Sequence, residues 1–222
     1  ARADDVDINA PLSLSERTET MTSRQFTLRD KQTIPPAGER DRILLEEYPV
    51  PSHFTYLAIP KRADGAILKA GIPGWDDIFL LPGQAKLHLE GAYVGQTYLN
   101  PGIVSDTLDV SFGRDNGIIV TRTKVSDQSE RSFFRNRVTQ TVVHEITVCN
   151  TKGSTAQIEV RDQIPVSTRE EIEVSTAGLS GGELNVETGI VTWQLQIAQG
   201  ESRTLRVGYE VRYPSGKTVI LE

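Results

Sequence analysis

The sequence is poor in sulfur, in histidine and in long apolar runs, and each shortage excludes something. A single cysteine, Cys149, leaves no partner for an internal disulfide and rules out a multi-cysteine metal site. The three histidines, His53, His88 and His144, lie far apart in the chain. Zinc needs three or four converging ligands, so no metal is expected, and no cofactor motif is present. No apolar run approaches the roughly 20 residues that span a bilayer as a helix. Basic residues number 24 against 30 acidic ones, a spread-out net charge of −6 that argues against a nucleic-acid partner. Helical periodicity never persists beyond two turns.

What is present is alternation. Val138, Gln140, Val142, His144, Ile146 and Val148 share one face of an extended segment, and Ala156, Ile158, Val160, Asp162 and Ile164 share another. Period-two patterning of this length predicts strands with one buried face. The turn-forming Asn150-Thr151-Lys152-Gly153-Ser154 between them predicts an antiparallel hairpin. Val191, Trp193, Leu195 and Ile197 form a third inward face, and Leu205, Val207, Tyr209, Val211 and Tyr213 a fourth, with Gly200 turning between.

Upstream, strands are expected at 25–28, 42–45, 53–59, 66–72, 108–112 and 118–125, and along the alternating run Ala85 to Tyr93. Proline and glycine punctuate them, and Asn116-Gly117 is a tight-turn dipeptide. The fold class is therefore all-β. Residues 1–22 read as an acidic arm joined to an upstream region, because the chain opens on Ala1 without a signal peptide. The charged stretch Ser126 to Arg137, around Phe133-Phe134, suggests a boundary between two β subdomains, 23–130 and 131–222. Strand spacing in the second predicts an immunoglobulin- or fibronectin-like β-sandwich.

Three groups of residues are candidates for chemistry. If the hairpin turns near Lys152, Asp162 lies diagonally from His144 on one face. A carboxylate orienting an imidazole is half of a hydrolase triad, but no motif marks a nucleophile. A structural polar pair, His144 with Asp162, is the expectation. Trp75, flanked by Gly74 and by Asp76 and Asp77, could stack on a sugar or peptide from an exposed loop, the alternative being a tryptophan folded onto its sheet. Asp106, Asp109 and Asp115 are read as solvated turn residues, since no calcium-loop spacing is present. Arg131, Arg135 and Arg137 read as a charged connector.

An ordered set of short motifs carries a resemblance. It starts with Leu80-Leu81-Pro82-Gly83-Gln84-Ala85, Gly91-Ala92-Tyr93-Val94-Gly95 and Ser111-Phe112-Gly113-Arg114-Asp115. It continues with Val148-Cys149-Asn150-Thr151-Lys152, Asp162-Gln163-Ile164-Pro165-Val166-Ser167, Gly189-Ile190-Val191-Thr192-Trp193 and Tyr209-Glu210-Val211-Arg212-Tyr213-Pro214. In order and approximate spacing these resemble the C-terminal domain of the mucoidy inhibitor A-like proteins, catalogued as a domain of unknown function. The resemblance implies an all-β domain preceded by a small β domain and a coiled coil. It also implies a setting in the bacterial cell envelope, periplasmic or secreted, and it transfers no catalytic residues. The function expected is a non-catalytic structural or interaction module. Its partner would be a protein, or a second copy reached through an edge strand or the upstream region. A carbohydrate-binding or carbohydrate-processing domain using Trp75, Asp76 and Asp77 is the alternative, with a glycan as ligand.

Overall fold

The computed structural model describes residues 12–19, 24–33, 42–78, 80–100, 106–132 and 136–221. The strands are β1 (Leu12–Ser13), β2 (Ser15–Glu19), β3 (Arg24–Leu28), β4 (Glu46–Glu47), β5 (His53–Ala58) and β6 (Ala66–Pro73). Then come β7 (Gly83–Leu89), β8 (Ala92–Leu99), β9 (Thr107–Asp115), β10 (Ile118–Ser132) and β11 (Arg137–Asn150). The last five are β12 (Ala156–Gln163), β13 (Glu173–Thr176), β14 (Glu183–Leu184), β15 (Ile190–Ile197) and β16 (Ser202–Pro214). The described residues contain no α-helix, only one short 3-10 turn at Trp75–Asp77, and no helix long and apolar enough to cross a membrane.

Two sheets share the core. One has the order β10-β11-β16-β13, the other β14-β15-β12-β5-β6-β9; β1-β4, β2-β3 and β7-β8 form three two-stranded sheets. The alternation read from the sequence sets the inner faces. Val142, Ile146 and Val148 of β11 and Val207 and Val211 of β16 are buried with Ile158 and Val160 of β12 and Val191, Trp193 and Ile197 of β15. Each fully buried aliphatic side chain contributes roughly 1.5–3 kcal/mol, so this row supplies most of the driving force for joining the sheets.

The β11–β12 segment is not a hairpin. β11 pairs with β10 and β16, while β12 pairs with β15 and, in parallel, with β5. The turn at 151–155 carries the chain from one sheet to the other, so the two inward rows face across the core instead of lying side by side. Asn150 makes that corner. Fully buried, its Nδ2 donates to the carbonyls of Ser154 at 2.8 Å and Ile197 at 2.9 Å, and its Oδ1 accepts from the Lys152 N–H at 3.0 Å.

The boundary expected near residue 130 does not divide two cores. β5, β6 and β9 sit in the same sheet as β12, β14 and β15, and Tyr56, Ala58, Ala66 and Leu68 belong to the same buried cluster as Val142 and Trp193. The charge-rich stretch taken as a connector continues β10 to Ser132 and pairs with β11 from Arg137. Phe133, Phe134 and Arg135 lie outside the described residues. Of the arm expected over 1–22, Leu12–Ser13 and Ser15–Glu19 are instead strands paired with β4 and β3, and the residues before Leu12 lie outside the described ones. Ala85 to Tyr93 is likewise two strands, not one. Glu90 and Gly91 both take positive φ, 51° and 82°, which closes the tight turn between β7 and β8.

Candidate functional site

The interior between the sheets is polar at one level. On β10, Ile118, Val120 and Arg122 occupy the inward register, and on β12 Val160 and Asp162 do. Arg122 Nε donates to Asp162 Oδ2 at 2.7 Å and Nη2 to Oδ1 at 3.4 Å, linking the two sheets. The Gln163 N–H also donates to Oδ1, at 2.7 Å. The Asp162 side chain has no solvent exposure and that of Arg122 16 %. A buried carboxylate needs a counter-charge, and Arg122 supplies it with forked donors.

His144 is buried on β11 at the same level, and its Nδ1 has no hydrogen-bond partner among the described residues. Burial pushes its pKa down, the positive charge of Arg122 pushes the same way, and Asp162 pulls against both. The imidazole is therefore held neutral. The expected pairing of His144 with Asp162 is replaced by Arg122 with Asp162: β11 and β12 are not hairpin partners, and the guanidinium on β10 reaches the carboxylate across the core. For the hydrolase half-triad, Asp162 would have to accept from the imidazole, yet its two oxygens accept from Arg122 and the Gln163 backbone. Arg122 escaped the sequence reading, although period-two counting from Ile118 and Val120 points it inward.

A second polar group ties the β9–β10 turn to the sheet crossing. Tyr56 Oη donates to Asp115 Oδ2 at 2.8 Å, Lys152 Nζ meets the same oxygen at 2.6 Å, and the Gly117 N–H donates to Oδ1 at 2.8 Å. Asp115 is thus a junction residue and not a solvated one. Burial pushes its pKa up, but the hydrogen bonds from Lys152, Gly117 and Tyr56 outweigh that and hold it below the usual aspartate value. Burial raises the Tyr56 pKa. The triad ties the β9–β10 turn and the 151–155 crossing to strand β5, and Asp115 also walls an open groove beside β10.

Trp75 is folded inward, only 7 % exposed, within the 3-10 turn that follows β6. Its neighbour Asp76 is exposed, and nothing is described for the Asp77 side chain. Trp75 lines the wall of a recess of about 250 Å³ with Tyr98, Asn100, Thr107 and Asp109, and Asp109 pairs with Lys69 at 2.8 Å. Of the two readings of Trp75, the ring takes the folded-in one and not the exposed stacking platform, while Tyr98 is the exposed ring there. Among the described residues no three of His, Cys, Asp and Glu converge as metal ligands.

A further open feature is the edge of β10. This strand has a hydrogen-bonded neighbour, β11, on one side only among the described residues. Beside Ile118–Arg122 runs an open groove of about 490 Å³, walled by Asp64, Gly65, Arg114, Asp115 and Asn116. Ile119 (48 % exposed), Thr121 and Thr123 form a β-branched row on the outer face. A bulge at Val125, where pairing slips between Lys124 and Ser126, bends the strand beyond the groove.

These features define an all-β domain of two sheets around one core, with its buried charges internally paired and one long sheet edge open. The chain matches the family described as a domain of unknown function, DUF4139, over residues 4–215, and it belongs to that family. It is also 24 % identical over 212 residues to Protein F37C4.5 of Caenorhabditis elegans, covering 89 % of this chain and 38 % of the nematode protein. The chain thus spans well under half the length of that curated relative.

Proposed function

We propose that the domain is a non-catalytic interaction module that takes up an extended segment of a protein partner as an added strand along β10. The open groove beside Ile118–Arg122 carries this reading. Alternate backbone N–H and C=O groups of β10 point away from β11 toward that groove, and an extended peptide satisfies them by continuing the ladder. The Ile119, Thr121 and Thr123 row offers its side chains a β-branched neighbour on the outer face. Natural sheets usually blunt such an edge, so a strand left open over this length is a binding surface or a liability.

The resemblance of the ordered motifs to the mucoidy inhibitor A-like proteins supports a setting in the bacterial cell envelope, with the module held there beside a coiled coil. The immunoglobulin-like label fits the two-layer core but not the parallel β5–β12 pair. Cell fractionation with protease accessibility tests the location: protection inside spheroplasts contradicts an envelope role. For strand addition, Ile119→Lys with Thr123→Lys weakens partner binding at least tenfold without lowering the melting temperature. Unchanged binding by that double variant contradicts the reading.

A further inference from the structure

We propose that the recess where the β12–β5 ladder ends is a binding site for a small oxyanion, a carboxylate or phosphate group held by Lys61, Arg62 and Arg161. The site is separate from the β10 groove and does not depend on the strand-adding role.

The recess has a structural cause. The parallel ladder between β5 and β12 runs from Tyr56–Ile158 to Ala58–Val160 and stops. β12 continues for three residues against β15 alone, pairing Arg161 with Thr192, Asp162 with Val191 and Gln163 with Ile190. On the other side, β5 turns away through Ile59-Pro60-Lys61-Arg62. The gap left in the sheet is about 190 Å³, walled by Ile59 and Ile190 and lined by Lys61, Arg62, Arg161, Asp162 and Gln163. That is smaller than the roughly 300–1,000 Å³ of sites enclosing a whole drug-sized molecule, so it suits one anionic group of a few heavy atoms.

The charge of the lining is one-sided. Three cations stand against one acid, in a chain whose net charge is −6. The one acid, Asp162, is already matched by Arg122 at 2.7 Å, so the lining carries an excess of positive charge. Arg161 also meets Glu159 at 2.5 Å, but its side chain is 44 % exposed, where such a pair is worth little, and the guanidinium carries five N–H donors. Lys124 and Lys61 both add positive potential as far in as His144.

The cations are also held ready. The Ile59 carbonyl accepts from the N–H groups of Arg62 at 2.8 Å and Ala63 at 3.1 Å, which closes the turn. Pro60 takes the second position of that turn, where its fixed φ favours the fold-back. Arg161 projects from a strand whose neighbours Val160 and Asp162 are fully interior. The backbone that carries these cations is therefore fixed before a ligand arrives, and the side chains alone are left to order.

The test is titration of the folded domain with inorganic phosphate and, in a second arm, with glutarate, each at ionic strength held constant with chloride. Backbone amide shifts of Lys61–Ala63 and Arg161–Gln163 report the site. Saturable shifts confined to these residues are expected, with affinity at least tenfold weaker in the Lys61→Ala/Arg62→Ala double variant and unchanged in Arg169→Ala. Response to phosphate alone names a phosphate group, response to glutarate alone a carboxylate, and response to both a site that reads charge only. Should the double variant melt early, Arg161→Gln replaces it. No saturable shift in either arm, or shifts kept by the variants, overturns the proposal.

Discussion

Arg122 of β10 and Asp162 of β12 meet across the core with Nε and Oδ2 2.7 Å apart, and they are the charged clasp between the two sheets. Removing one partner leaves a charge stranded in the interior. Arg122→Met should therefore cost on the order of 3–5 kcal/mol, whereas Arg122→Met with Asp162→Leu should recover most of that loss. Urea denaturation of the two single variants and the double variant measures this. Additive losses contradict the clasp.

His144 gives stability a pH dependence of known sign. Burial and Arg122 hold its pKa below the ordinary value of 6.5, so between those two values the unfolded chain binds a proton that the folded one does not. Its contribution is present above about pH 6.5 and is lost as pH falls toward the folded value. The unfolding free energy should fall on acidification from pH 7, by at most about 1.4 kcal/mol per pH unit from this residue, and His144→Leu should flatten that slope. Denaturation in phosphate-free buffer at several pH values decides it; an equal slope in the variant contradicts the assignment.

Much of this architecture is legible in the chain, and the illegible part has a physical reason. Alternation told which residues of Val138–Val148, Ala156–Ile164 and Leu205–Tyr213 face inward, because the side-chain period in a strand is two. Alternation does not say which strand lies alongside. That is why β11 and β12, neighbours in sequence with a turn between them, read as a hairpin yet lie in different sheets, and why the β5–β12 pair, about a hundred residues apart, has no local signal. The boundary near 130 failed for a related reason, since charge marks exposure, and a long edge strand is as exposed as a linker. Glu90-Gly91 hid inside a run whose alternation continues through the turn. Of the candidate residues, His144 and Asp162 were rightly placed inside and wrongly paired; Trp75 went to the sheet because a tryptophan's apolar area outweighs the polarity of its neighbours.

Gly189 is a steric necessity. It takes φ 71°, and a Cβ there would stand 2.2 Å from the Ile164 carbonyl oxygen. That close approach accompanies the bond from the Ile164 N–H to the Gly189 carbonyl at 2.9 Å, which follows the end of β12. Gly189→Ala should destabilise the domain by about 3 kcal/mol or more, through positive-φ strain and displacement of that backbone contact. A melting temperature within a degree or two of the parent contradicts this.

Trp75 should behave as a packing residue. Trp75→Ala is expected to cost about 3 kcal/mol, the loss typical of a buried large aromatic, whereas Tyr98→Ala should cost little. Thermal melts compare the two. On a glycan array, Trp75→Ala losing sugar binding while melting normally would revive the carbohydrate reading.

The most direct test of the strand-adding role is amide hydrogen exchange on the domain with peptides selected from a random ten-residue library. Slowed exchange concentrated in Ile118–Lys124, with binding weakened at least tenfold by Ile119→Lys with Thr123→Lys, is the predicted result. Selected peptides that leave β10 exchange unchanged and protect another surface, or a library that yields no binder, would contradict it.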